Sequence, residues 1–192
     1  MKLNKSFYQQ TDVVMIAKEL LGKYLFTNFN GIITGGIITE TEAYAGITDK
    51  ASHAYNDRRT KRTEIMYKDG GISYVYLCYG MYSLFNVVTN IEGVPHAVLI
   101  RGIHPTEGIE EILKRTKQNN LDKYLLNGPG KLTKALGIHY SHTGTDLNST
   151  DIWLEDSKNI VLEKDIIITK RVGVDYAKED ALLPYRFILN IK

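Results

Sequence analysis

Between Ile72 and His104 the chain offers three β-rich runs, ISYVYLCYG, MYSLFNVVT and HAVLIRGIH, parted only by Gly80 and by the turn-forming NIEG of residues 90–93. Connections this short make an antiparallel meander the simplest topology, because parallel neighbours need a crossover of a dozen residues or more. Strand-like runs lie on both sides of it. Tyr24–Thr27 and residues 32–44 flank NFNG and read as a β-hairpin, with Gly35 and Gly36 marking a bulge. From Ile152 onward DIWLED, DIIITKRVGV and YRFIL return to strand character.

Helical signals fill the remainder. Asp12 can cap a helix whose apolar residues Val13, Ile16, Ala17, Leu20 and Leu21 recur at helical spacing, with Gly22 to end it. Further helical pieces are EGIEEILKRTK, LDKYLLN and KLTKALG, the last opened by Gly128, Pro129 and Gly130. Residues 45–71 carry no periodicity beyond a short helix at Glu64–Tyr67, so they read as a long functional loop. The expectation is an α+β fold, one domain over residues 1–192, with a curved antiparallel β-sheet core and surrounding helices.

A lone cysteine, Cys78, excludes an internal disulfide, and no Cys/His spacing suggests a structural zinc site. Between Leu77 and Tyr79 this thiol reads as a small apolar filler. Neither a signal-type segment nor an apolar run of membrane-spanning length is present, so a cytoplasmic, soluble protein is expected. A net charge of +2 does not announce a nucleic-acid binder, but Arg58, Arg59, Lys61 and Arg62 face only Asp57 in their neighbourhood and make one loop strongly cationic. Thirteen tyrosines against five phenylalanines suit half-wet binding surfaces better than deep cores.

The stretch TETEAY, residues 39–44, puts Glu40, Glu42 and Tyr44 on one strand face, the two carboxylate stems about 6.6 Å apart. Such a gap suits a water held between two carboxylates, as in inverting glycosidases. The same pattern suits an edge strand whose charges repel pairing neighbours. A third reading is a metal site of Glu40, Glu42, Asp49 and His53, against which stands the lack of an HxxxH or HxH pair. Downstream, Tyr74 and Tyr76 share a strand face, while Tyr79, Gly80 and Met81 fall at a turn. A tyrosine and a methionine projecting there resemble a wedge for a base stack, and the strand tyrosines resemble stacking platforms.

AKELLGKYL, ETEAYAG with ASHA, YVYLCYGMY with Asn86, AVLIR, GPGKLTKALGI, RVGV and PYRF together resemble the alkyladenine (3-methyladenine) family of DNA glycosylases, nearly end to end and in the family's order. The resemblance implies that Glu42 is the general base, with Arg101 and the backbone carbonyl of Val172 helping to hold the attacking water. It implies that Tyr44, His53 and Tyr76 line the pocket for the everted base and that Asn86 obstructs the amino group of normal guanine. Tyr79, with Met81 and Tyr82 beside it, would fill the gap in the duplex, while Arg58, Arg59, Arg62 and Lys131 would meet the DNA backbone. An unperturbed carboxyl at position 42 would be ionised at neutral pH, and Glu40 is expected to be structural. No lysine or amine occupies the nucleophile position, so a monofunctional enzyme that leaves an abasic site and cuts no strand is implied; it is expected to be a monomer without a cofactor, acting on double-stranded DNA that contains a damaged purine. Departures from the family pattern are Thr63 after Arg62, Asn56 near a common glycine position, and a chain that stops soon after RFILN.

Overall fold

A computed structural model describes residues 1–121, 126–157 and 160–190. Its first long element obeys the capping signal. The Asp12 carboxylate accepts the Val14 and Met15 N–H groups, opening helix α2 (Val13–Glu19) after a single-turn α1 (Lys5–Tyr8). The apolar stripe of α2 buries Ile16 and Ala17 completely. Two more helices follow later, α3 (Ile109–Thr116) and α4 (Pro129–Leu136). The helix expected at LDKYLLN falls largely on residues 122–125, outside the described residues.

Strands β1 (Tyr24–Phe29) and β2 (Ile32–Tyr44) form the expected hairpin, and β3 (Ser73–Cys78), β4 (Tyr82–Thr89) and β5 (His96–Glu107) form the expected meander. With β6 (Ile152–Glu155), β7 (Ile166–Thr169) and β8 (Arg186–Leu189) they make one curled antiparallel sheet. The order is β3-β4-β5-β2-β1-β6, and β8 joins β2 beyond the reach of β1, bringing β7 with it. The α+β expectation holds. Gly36 does sit at a register shift, but against β5 and not within the hairpin, and a Cβ there would lie 2.1 Å from the His104 carbonyl oxygen.

One expectation fails. The strand carrying TETEAY is not an edge: Glu40, Thr41 and Glu42 pair with β5 on one side and with β8 on the other. Alternation therefore divides two buried faces rather than a wet one from a dry one. Thr41 turns to the helical side, where its hydroxyl donates to the Ala17 carbonyl at 2.7 Å, amid a core that includes Leu20, Ile38, Phe85, Ile100 and Phe187. Glu40, Glu42 and Tyr44 turn to the opposite side, where the cavity lies. Charges with no solvent beside them must find partners within the protein.

Candidate active site

Directly opposed residues of an antiparallel ladder put their side chains on the same face. Glu42 opposes Leu99, Leu99 opposes Asn86, and Asn86 opposes Tyr74, so these four make one row across β2, β5, β4 and β3. Tyr44, Tyr76, Arg101, Asn86 and His53 line a single cavity of about 190 Å³ above that row. Drug-sized pockets run to about 300–1,000 Å³, so this one is scaled to a single flat ring system. Tyr79, at the rim, and Val172, 48% exposed, line it too.

Its walls are aromatic. The His53 ring meets Tyr76 edge-on at 4.6 Å between centroids, and Tyr74 lies 5.4 Å from Tyr76. His53 Nδ1 is 2.7 Å from the Tyr74 hydroxyl. Burial, helped by the charges of Arg62 and Arg58, pushes the His53 imidazole down to about 4, so it is neutral at physiological pH. Asn86 spends its amide hydrogens on the Tyr74 and Leu84 carbonyls at 3.0 and 3.3 Å, which holds the side chain rigid.

Behind the wall stands Glu42, with no exposed surface. Tyr44 Oη donates to its Oε2 at 2.9 Å, and the Val172 backbone N–H donates to Oε1 at 2.8 Å. Val172 thus touches Glu42 through its amide hydrogen, where the sequence resemblance assigned its carbonyl to the water. Arg101 Nε lies 3.4 Å from Oε1 of Glu42. Burial raises this carboxyl above its ordinary value; Arg101, the Val172 N–H and Tyr44 oppose the rise, and Glu40 adds to it. The expectation of an unperturbed carboxyl is therefore corrected: leaving water outweighs the partners.

Arg101 is aimed by an irregularity. In the β2/β5 ladder Glu40 pairs with Gly102 and Thr41 with Ile100, so Arg101 falls between paired residues, a bulge of the kind that redirects a side chain. Its Nε donates to Glu40 at 2.7 Å, and its carbonyl accepts the Gly128 N–H at 2.8 Å, which seats the start of α4 beside the site.

Asp49 belongs elsewhere. One of its oxygens lies 2.9 Å from Nη2 of buried Arg171, the other also bonds that guanidinium, and it accepts the Ala45 and Ala51 N–H groups. Arg171 also donates to the Ala43 carbonyl and sits 4.9 Å over the Tyr44 ring. Asp49 and His53 thus point to other partners, and among the described residues no three His, Cys, Asp or Glu groups converge as metal ligands.

The three-residue connection between β3 and β4, Tyr79 to Met81, turns on Tyr79 and Gly80, both in the left-handed region at φ 51° and 67°, with the Met81 N–H donating to the Cys78 carbonyl at 3.1 Å. Tyr79 is 88% exposed, Met81 70% and Tyr82 52%; the Tyr82 ring packs on Gly130, at the start of α4, where a Cβ would be 3.0 Å away. Lys131 is exposed on the same turn. In the cationic loop, Arg62 lies 5.8 Å from the Tyr76 ring, whereas Arg59 stacks 3.7 Å over Tyr67 and pairs with Glu64 at 3.1 Å. Thr63 is buried, its hydroxyl donating to the Arg58 carbonyl and accepting the Thr60 N–H, so the departure from the family's usual residue is built into the loop. Asn56 takes the left-handed φ of 59°, suiting a position where glycine is common.

Several cavity residues escaped sequence reasoning. Leu99 and Ala97 read only as sheet core, and register alone reveals them. Tyr176, whose hydroxyl donates to the Ala51 carbonyl at 3.0 Å, lies just past the RVGV block. Cys78 also lines the cavity.

Aromatic walls accept a flat heterocycle, and a buried carboxylate behind them suits activation of water, the equipment of a hydrolase. Comparison with known sequences narrows the class. Residues 6–192 match the methylpurine-DNA glycosylase family. Similar proteins, each provisionally named a 3-methyladenine DNA glycosylase, occur in Chlamydia felis, at 49% identity over 99% of this chain and 97% of the relative, and in Clostridium acetobutylicum, at 47% over 99% and 95%. A Bacillus cereus protein of the same name is 45% identical over 97% of this chain and 95% of its own. The chain belongs to the methylpurine-DNA glycosylase family and is a DNA glycosylase, a hydrolase of N-glycosyl bonds.

Proposed function

We propose that the protein everts an alkylated or deaminated purine from duplex DNA, of the 3-methyladenine, 7-methylguanine, hypoxanthine and ethenoadenine class, and hydrolyses its N-glycosidic bond with an activated water, leaving an abasic site. The observation that carries this reading is the Glu42 carboxylate, buried, held by two hydrogen-bond donors with the Arg101 guanidinium 3.4 Å away, immediately behind an aromatic cavity of single-base size.

Extrusion costs a few kcal/mol, least for damaged or mispaired bases. Tyr79 fills the vacated space, with Met81 and Tyr82 at its side. The base enters between Tyr44, His53 and Tyr76. A purine methylated at N3 or N7 carries positive charge, which aromatic faces favour by about 0.5–2 kcal/mol and which a neutral His53 does not oppose. Asn86, fixed by two backbone carbonyls, cannot step aside for the exocyclic amino group of guanine. Glu42 takes a proton from water as it attacks the sugar carbon, and its negative charge stabilises the oxocarbenium-like transition state. Arg101 orients that water with the Val172 backbone. Arg58, Arg62 and Lys131 contact phosphates, which gives affinity without lesion choice. The enzyme works as a monomer of one domain, residues 1–192, in the cytoplasm near the nucleoid.

The test is an incubation with duplex oligonucleotides carrying each of the four lesions, developed with hot alkali to cut at abasic sites. Strand breaks with wild type and none with Glu42→Gln are expected. Equal cutting by both proteins removes Glu42 from the chemistry.

A further inference from the structure

Glu40 is the carboxylate that this reading leaves without a task. A single oxygen of it, Oε1, receives two guanidinium groups, Arg101 Nε at 2.7 Å and Arg186 Nε at 2.6 Å. All three side chains are largely buried, so these pairs are poorly screened. The same Nε of Arg101 stands 3.4 Å from Glu42, near enough for Coulomb attraction and too long for a good hydrogen bond. Arg101 therefore has two claimants, and Glu40 holds it.

We infer that Glu40 is a positioning residue: it keeps the Arg101 guanidinium off Glu42, so that the Glu42 carboxylate, which already accepts one hydrogen bond at each oxygen, is spared a direct ion pair and keeps its strength as a base while the rest of Arg101 faces the cavity. The inference rests on the assignment of Glu42 as general base. Arg186 completes the device from β8, whose pairing with β2 sets Arg186 opposite Glu42, two pairs away from Glu40 and on the same face. Two carboxylates and two guanidiniums share a neutral cluster, yet the short contacts all go to Glu40.

Removing the charge at 40 frees Arg101 to close the gap onto Glu42, and a direct ion pair makes a carboxylate a weaker base. The groups facing Glu42 are Glu40 and Tyr44 on its own strand, Arg101 on β5, Arg186 on β8, Tyr76 on β3, and Arg171, the Val172 N–H and Tyr176 from the segment after β7. Of these, Glu40 is the negative neighbour whose loss and whose release of Arg101 act in the same direction.

The experiment follows single-turnover excision of a lesion that the wild type removes, from acid to neutral pH, for wild type, Glu40→Gln, Glu42→Gln and the double variant Glu40→Gln with Arg186→Gln. Glu40→Gln is expected to slow excision about tenfold at neutral pH, to move the acid limb of the rate to lower pH, and to leave the affinity for lesion DNA nearly unchanged. The double variant withdraws one positive charge with the negative one; it is expected to melt near the wild-type temperature and to keep the displaced limb. An acid limb at the wild-type position in the folded variants overturns the inference, as does a rate that recovers fully with stability in the double variant. Wild-type activity in Glu42→Gln would instead sink the general-base assignment, a result readable independently of Glu40.

Discussion

Glu42 and Tyr79 stand at the two ends of one small site, the first with no exposed surface and the second 88% exposed. Folding alone satisfies Glu42, through Tyr44, Val172 and Arg101. Folding leaves Tyr79 in water at a left-handed turn, an arrangement that gains nothing until something covers the ring. The inner end is thus organised before DNA arrives, and the outer end is completed by it. Substitutions inside should alter chemistry and stability together, with signs set by burial, whereas substitutions outside should alter only the encounter with duplex.

The largest effect belongs to Glu42→Gln. A general base contributes about 10²–10⁴ in rate, so excision should fall by that factor or more. Stability should move the other way. Burial raises this carboxyl, so the folded protein binds its proton more readily than the unfolded chain does, and the ionised form weighs against folding at neutral pH. Wild-type stability attributable to this group is complete below the ordinary carboxylate value and is lost as pH rises through the raised one. Thermal melts at neutral pH should show Glu42→Gln equal to or above wild type; a clear fall would mean that Arg101 and its neighbours favour the charge more than burial opposes it.

Next comes Asp49→Ala, which strands Arg171, a guanidinium without exposed side-chain surface. Breaking one partner of such a pair costs about 3–5 kcal/mol. Urea unfolding should register that loss, and excision should drop with it because Arg171 precedes the Val172 N–H that binds Glu42. Loss of activity at unchanged stability would contradict this assignment of Asp49.

Tyr79→Ala should show the opposite profile: an unchanged melting temperature, with excision from duplex reduced about tenfold to a hundredfold, the equivalent of a few kcal/mol of base-stack replacement. Single-stranded substrate, with no gap to fill, should lose little. An equal loss on both substrates would make Tyr79 a pocket wall rather than a wedge.

The same division explains what the sequence disclosed. Strands between tight turns, the Asp12 cap and the exposed turn at Tyr79 are local in origin, so periodicity and turn chemistry reveal them. Glu42 was legible because TETEAY is odd for a strand, and the family resemblance gave its role. Its pairing was not legible: the β8 partner of β2 lies more than 140 residues away, and the edge-strand alternative failed on that contact. The raised carboxyl was hidden for the same reason, since burial depends on what the sheet curls around. Leu99, Tyr176 and the Arg101 bulge are likewise products of register, which a single strand's sequence does not state.

The smallest effect separates two cations of the outer surface. Lys131 is exposed on the first turn of α4, whose entry is fixed by the bond from Gly128 to the Arg101 carbonyl. A phosphate held there releases about one counterion, so Lys131→Ala should lower the slope of log affinity against log salt by about 0.9 without changing the order of preferred lesions. Arg59 has the same formal charge but spends it on Glu64 and on the face of Tyr67. Arg59→Ala should therefore shift the slope less, and should cost about 0.5–1 kcal/mol of stability through the lost ring contact. A larger slope change for Arg59 than for Lys131 would mean that DNA draws Arg59 away from Glu64, making the cationic loop, like the hairpin tip, a part finished only by its substrate.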